Sequence, residues 1–228
     1  MRLFNRKFLI VILLSILGFE QQSSIVFAQE KALYESIDLG KLMRERIDKH
    51  SRILNFELGK TKLTEVEETL GQTTVAIAGT GHDRFKQICY IADSSSDPIM
   101  LIFANDFIHG KKIHEVTLKE ILPNEINKSK CTTSNKINKN VKTESGLGLN
   151  LNESELYPIA GYPNAGLEAP IGKRKYEYRT QYNIGMNPEE ITELGAEEFP
   201  YWTVKFILTV KIENGKITSL TIFRRTSS

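Results

Sequence analysis

The chain has 228 residues, 40% hydrophobic and 25% charged, with 30 basic side chains against 28 acidic ones. That near balance excludes a protein that holds nucleic acid or a lipid surface by bulk charge, and only two cysteines exclude a disulfide-dense scaffold. The length allows one large or two small domains.

The N-terminal stretch reads as a targeting segment. Arg2, Arg6 and Lys7 precede an apolar run from Phe8 to Phe19, and Val26-Phe27-Ala28 has the small-residue pattern at which a signal peptidase cuts. The run is shorter than the ~20 apolar residues that span a bilayer, which favours a cleaved signal over an anchor. The expectation is a signal peptide over residues 1–28 and a soluble periplasmic or secreted protein from Gln29 onward. With no cysteine beside the cleavage point, no lipid anchor is expected.

Residues 31–52 are charged, with Leu33, Ile37, Leu42, Met43 and Ile47 at loosely helical spacing, and predict a leading helix interrupted at Gly40. A short stretch then occurs twice. Leu58-Gly59-Lys60-Thr61 leads into an apolar stripe of Leu63, Val66 and Leu70 that stops at Gly71. Leu149-Asn150-Leu151-Asn152 leads into Leu156, Ile159 and Ala160 and stops at Gly161. Asn152 with Glu155 has capping-box spacing, the closing glycines suit helix C-termini, and Pro158 limits the second helix. Each stretch is followed by β-rich runs. In the first half these are Thr73 to Ala78, Phe85 to Ala92, Ile99 to Ala104 and Lys112 to Leu118; in the second, Arg174 to Tyr182 and a long hairpin. In that hairpin Trp202, Val204, Phe206, Leu208, Val210 and Ile212 alternate on one face, and Asn214-Gly215 supplies a type I′ turn.

The expected fold class is therefore α+β: two tandem repeats, each a short helix packed on an antiparallel β-meander, with the two meanders able to join in one curved sheet. The expected domains are a first repeat with its leading helix at 29–122, an Asn/Lys-rich linker at 123–145 and a second repeat at 146–228. The linker lysines, Lys128, Lys130, Lys136, Lys139 and Lys142, have no interleaved aromatics and read as a solvated segment rather than a nucleic-acid contact. Cys89 and Cys131 form an even pair in a chain read as exported, and a disulfide between them is expected to hold the linker against the first sheet.

The glycine-flanked helix followed by a meander and a strand-Asn-Gly-strand hairpin resembles the superfamily of the β-lactamase inhibitor proteins and the outer-membrane assembly lipoprotein BamE. Its motif runs roughly Leu-Gly-Met-Ser-x-x-x-Val-x-x-x-Leu-Gly-x-Pro. Leu58-Gly59, Val66 and Leu70-Gly71 match it in the first copy with one extra residue, and Leu149, Leu156 and Gly161-Tyr162-Pro163 match it in the second. Asn150 stands where the second copy would have its first glycine. The resemblance implies a fold that binds proteins through its sheet. The lack of a lipidated cysteine argues against BamE itself, and one cysteine pair shared across the linker departs from an inhibitor with a bridge in each repeat.

No catalytic, cofactor or metal set is expected. Asp106, His109 and His114 are close in sequence, but they fall on a strand-turn-strand whose exposed face would carry such residues in any case. Gly79-Thr80-Gly81 with His82 lacks the lysine-serine pair and the helix of a phosphate loop. The doublets Glu189-Glu190 and Glu197-Glu198 read as a solvated loop, and there is no Gly-x-Ser-x-Gly elbow. The aromatic group of Tyr176, Tyr178, Tyr182, Phe199, Tyr201 and Trp202 is weighed as core against binding surface, and Tyr176, Tyr178 and Tyr182 are the candidate partner-binding residues. The expected function is an exported, non-enzymatic protein-binding or envelope-assembly module with an unidentified protein partner. The alternative is an exported hydrolase or small-ligand-binding protein.

Overall fold

The structure, a computed structural model, describes residues 39–80, 84–92, 98–106, 111–126, 130–168, 172–186 and 201–227. The expected leader at 1–28, the first part of the leading helix, His82, His109, Lys128, the two glutamate doublets and Phe199 lie outside the described residues. The chain divides into two units, Met1–Glu45 and Arg46–Ser228. The first is described only at residues 39–45, the opening of helix α1 (Leu39–His50); all the other described residues belong to the second.

The end of α1 leads into a miniature hairpin, β1 (Arg52–Ile53) and β2 (Phe56–Glu57), turned by Leu54 and Asn55 at positive φ. Helix α2 (Leu63–Leu70) comes next, and the Glu65 carboxylate accepts the Lys62 N–H at its start. The meander β3 (Ala76–Ala78), β4 (Phe85–Ala92), β5 (Ile99–Asp106) and β6 (Ile113–Glu120) continues the chain. The single turn α3 (Pro123–Ile126) and the short β7 (Thr132–Ser134) bring it back across β4. Helix α4 (Glu153–Ala160) continues through Pro158, with the Glu155 carboxylate accepting the Asn152 N–H at 2.8 Å. The last strands are β8 (Ala165–Glu168), β9 (Lys173–Gly185), β10 (Tyr201–Glu213) and β11 (Lys216–Ser227).

These strands make one sheet in the order β3-β4-β5-β6-β11-β10-β9-β8, with β7 added parallel to β4. The register aligns side chains in rows that cross the sheet from β9 to β4. One row is Tyr178, Leu208, Ile222, Val116, Phe103 and Ile88, all buried. It lies on the same face as Val66, Leu70, Leu156, Leu58 and Leu149, which close the core from the other side. Each fully buried aliphatic side chain of this kind stabilises the fold by about 1.5–3 kcal/mol.

This arrangement corrects the expected fold class. The protein is mostly β, not an α+β pair of helix-on-meander repeats. The edge that would have ended the first meander, β6, hydrogen-bonds to β11 from Glu115 to Lys119, so both halves share one sheet and one hydrophobic core. The helices are too small to form a layer of their own. Eight-residue α2 buries Leu63, Val66 and Leu70, and α4 buries only Leu156 and Ala160, whereas β9 and β10 are 13 residues each.

The Asn/Lys-rich segment is partly core. Ile137 and Val141 are buried in the main cluster, while Lys130, Lys136, Lys139 and Lys142 point outward. The Cys89 and Cys131 sulfur atoms are bonded at 2.03 Å, which ties the approach to β7 onto β4. Around that bridge Ile91, Met100 and Ile121, with Ile102 and Ile126, form a second apolar cluster on the opposite face of the sheet from the main core.

Candidate binding surface

The three tyrosines singled out from the sequence share one face of β9, and that face is the covered one. Tyr178 stands opposite Leu208 and is 7% exposed; Tyr176 and Tyr182, opposite Val210 and Val204, are half-buried against the same core. The Tyr178 hydroxyl has no hydrogen-bond partner among the described residues, and burial raises its pKa. Tyr176 donates to the Glu153 carboxylate at the start of α4, and Arg174 donates to the same oxygen at 2.7 Å. That hydrogen bond, more than burial, pushes the Tyr176 phenol up to about 12. Tyr157 completes the group, with its hydroxyl 3.2 Å from that of Tyr176 and its ring 5.7 Å from Tyr162. Tyr162, which the sequence reading does not single out as a site, is 88% exposed. Of the rest of the aromatic group, Tyr201 is exposed and Trp202 is half-buried.

The other face of β9, β10, β11 and β6 has a different chemistry. Alternation sends the odd-numbered residues of β9 and β10 there, and the register assembles them into rows. Lys175 stands directly opposite Lys211, followed by Ser219 and then Lys119. The next row is Glu177, Thr209, Thr221 and Thr117, in which the last two hydroxyls are 3.0 Å apart. Then come Arg179, Ile207, Phe223 and Glu115, and beyond them Gln181, Lys205 and Arg225. Ile207 and Phe223 belong to neither apolar cluster. The result is a face with an apolar and hydroxyl centre and a basic row on each side.

The three carboxylates among the described residues of this face are engaged or suppressed, Glu213 by Lys173 at 3.2 Å. Glu177 is buried and paired with Arg179, and burial pushes the Glu115 carboxyl above the ordinary range. Lys119, Lys175, Lys205 and Lys211 make no ion pair among the described residues. The corresponding face of β4 and β5 is covered by the cluster around the disulfide. From β6 to β9 the same face is mostly half-buried, with Arg179, Gln181, Lys205 and Lys211 exposed.

Two further polar groupings bear on chemistry. His50, at the end of α1, is 3% exposed, its ring is stacked on Phe206 with centroids 6.1 Å apart, and its Nδ1 lies 2.6 Å from the Ser145 hydroxyl. The Ser145 oxygen is also 2.7 Å from the Thr143 hydroxyl, which in turn accepts the Leu147 N–H. Burial, reinforced by Arg46, lowers the His50 pKa from 6.5 to about 4, so at neutral pH the imidazole is a poor general base. The chain of hydrogen bonds pins the 143–147 loop to the end of α1. Near it, Arg224 lies 2.9 Å from Asp48 and 3.8 Å from Glu57, ion pairs by distance although the first has no hydrogen-bond geometry, and Glu57 also holds Arg52 and Lys60. These charges tie α1, β2 and β11 together.

Among the described residues no group of three or more His, Cys, Asp or Glu could hold a metal ion, and no helix is long and apolar enough to cross a membrane. Of the suggested Asp106, His109 and His114 set, His114 is on β6 with its Nδ1 3.3 Å from the Arg224 carbonyl, and Asp106 ends β5. No family model, curated protein or solved structure matches the chain.

Proposed function

We propose that this chain is an exported, non-enzymatic binding protein that docks a protein partner on the open face of β9, β10, β11 and β6. The observation that carries the reading is Lys175 opposite Lys211, like charges on neighbouring strands, neither of which makes an ion pair among the described residues because the flanking Glu177 and Glu213 are held by Arg179 and Lys173. Such a pair costs a fold roughly 0.2–1 kcal/mol. Packing does not require it, because both side chains point away from the core. A partner that brings carboxylates to this row removes the repulsion, and Ile207 and Phe223 offer it an apolar centre. Four strands about 4.8 Å apart and roughly ten residues long at about 3.3 Å each make a face of roughly 600 Å² before side-chain relief, close to the ~800 Å² per partner of a stable complex.

The test is chemical cross-linking in the native envelope with wild-type protein and a Lys175→Glu, Lys211→Glu variant of unchanged thermal midpoint. The reading expects a discrete cross-linked species that the variant loses; a folded variant that keeps it at equal yield refutes the surface. Intact-mass measurement of the same material tests export, since the mature chain is expected to begin near Gln29. The alternative of an exported hydrolase has one observation on its side, the 2.6 Å contact of His50 and Ser145. Turnover of an ester or amide panel that is abolished by Ser145→Ala would replace the binding reading.

A further inference from the structure

The segment from Lys139 to Asn152 folds back beside the start of β11. Asn150 N–H donates to the Ile217 carbonyl at 2.9 Å, Ile217 N–H donates to the Leu151 carbonyl at 2.9 Å, and Asn152 and Lys216 form a further antiparallel bridge. On the other side Lys142 bridges to Gly148. Between these walls is an open cleft of about 440 Å³, floored by Leu149 and Leu151. Clefts of ~300–1,000 Å³ accommodate small molecules.

The charge of the cleft is one-sided. Lys139, Lys142 and Lys216 line it together with Asn140 and Asn150. Its single carboxylate, Glu155, accepts hydrogen bonds from Asn152 N–H at 2.8 Å and Asn152 Nδ2 at 2.9 Å, and so is engaged at the start of α4. Lys142 and Lys216 have no ion-pair partner among the described residues.

Lys142 is positioned by the chain around it. A Cβ added to Gly148 would lie 2.7 Å from Lys142 Cγ and 2.9 Å from the Val141 carbonyl, so only a bare Cα lets the lysine stem lie across the loop. Segments some 75 residues apart in sequence thus bring ammonium groups to one concavity, where their mutual repulsion calls for an anion.

We infer that this cleft binds a small oxyanion of two or more charges, an organic phosphate or polycarboxylate. Lys142 and Lys216 supply the counter-charge, the asparagine amides donate hydrogen bonds to the oxyanion, and Leu149 and Leu151 accept the ligand's carbon skeleton. The cleft is separate from the basic rows of the open sheet face and does not depend on the protein partner proposed there.

Calorimetric titration of the full chain with pyrophosphate and, in parallel, with citrate at low ionic strength tests the inference. One-site saturable binding of either probe is expected, pyrophosphate alone pointing to phosphate ligands and citrate alone to polycarboxylates. Lys142→Gln or Lys216→Gln should each weaken that binding by roughly ten-fold, as for loss of one charge-assisted hydrogen bond. Gly148→Ala should weaken it by displacing Lys142, and Lys211→Gln, on the sheet face, should leave it unchanged. The inference is overturned if neither probe binds, if the folded Lys142→Gln, Lys216→Gln double variant binds as tightly as wild type, or if Lys211→Gln weakens binding as much as the cleft variants do.

Discussion

Acidification should destabilise this protein through His50 well before its carboxylates protonate. The imidazole is buried against Phe206, bonded to Ser145 and close to Arg46, so the fold holds its neutral form and lowers its pKa from 6.5 to about 4. In the unfolded chain the same ring takes up a proton near pH 6.5. Above that pH both states are neutral at this site and the stability is fully present. As pH falls from 6.5 towards 4 the unfolded state binds a proton that the folded state refuses, and stability is lost at up to about 1.4 kcal/mol per pH unit. Over the window the loss is about 3 kcal/mol. Glu57 and Glu153, whose pKa values the fold lowers, act only below the ordinary carboxylate range. Glu115, whose pKa is raised, has the opposite sign and gains stability as pH falls through its folded value. A His50→Gln variant keeps an amide able to reach Ser145 while removing the titration, so the difference between the two proteins isolates the histidine. Urea denaturation of both at pH 7.5, 6.5, 5.5 and 4.5 should show wild type losing about 2.5 kcal/mol relative to the variant. Parallel stability curves would refute the assignment of a neutral buried imidazole.

The disulfide, a buried phenol and a turn glycine each give a further outcome. Reducing Cys89–Cys131 opens a loop with a sequence separation of 42 and should lower unfolding stability by about 4 kcal/mol in the chain-entropy model; urea titrations with and without reductant measure it, and a change below about 1 kcal/mol would show that the loop is held by β7 pairing alone. Tyr178→Phe removes a buried hydroxyl that has no partner among the described residues and should leave stability unchanged or raise it by up to about 1 kcal/mol, while Tyr178→Ala should cost about 3–5 kcal/mol, both read by urea midpoint. Gly215 has φ +76 in the β10–β11 turn, so Gly215→Ala should cost about 1–2 kcal/mol by forcing a side chain into the left-handed region, seen as a lower thermal midpoint.

Local structure is far more legible in this chain than strand neighbourhood. The alternation from Trp202 to Ile212 identifies β10, and Val204, Phe206, Leu208, Val210 and Ile212 are all buried; Asn214 and Gly215 both adopt the positive φ of a type I′ turn. These readings rest on interactions among residues close in sequence. The pairing of β6 with β11 brings together residues about 100 positions apart, and no local pattern records it. Without that pairing the two glycine-flanked helices suggest separate units; with it, one sheet and one core result. The cleft is illegible for the same reason, since Lys142 and Lys216 are neighbours only because the 149–152 segment pairs with the start of β11.

The tyrosines mislead for a different reason, and the signal that places them is present in the sequence. Tyr176, Tyr178 and Tyr182 alternate with Lys175, Glu177, Arg179 and Gln181, so β9 has an aromatic face and a charged face. A long strand with such a division buries the aromatic side and leaves ions in water, because an unpaired charge in a core costs far more than an exposed phenol ring. The hot-spot preference for tyrosine favours the opposite assignment, but it describes residues already known to be at an interface and says nothing about which side of a strand is open. Alternation therefore outweighs composition here, and it turns the lysine, threonine and arginine side of β9 and its neighbours away from the core, the side proposed above as the contact surface. That side carries Ile207 and Phe223 at its centre, and the most exposed large aromatic among the described residues, Tyr162, lies beyond α4 and off the sheet.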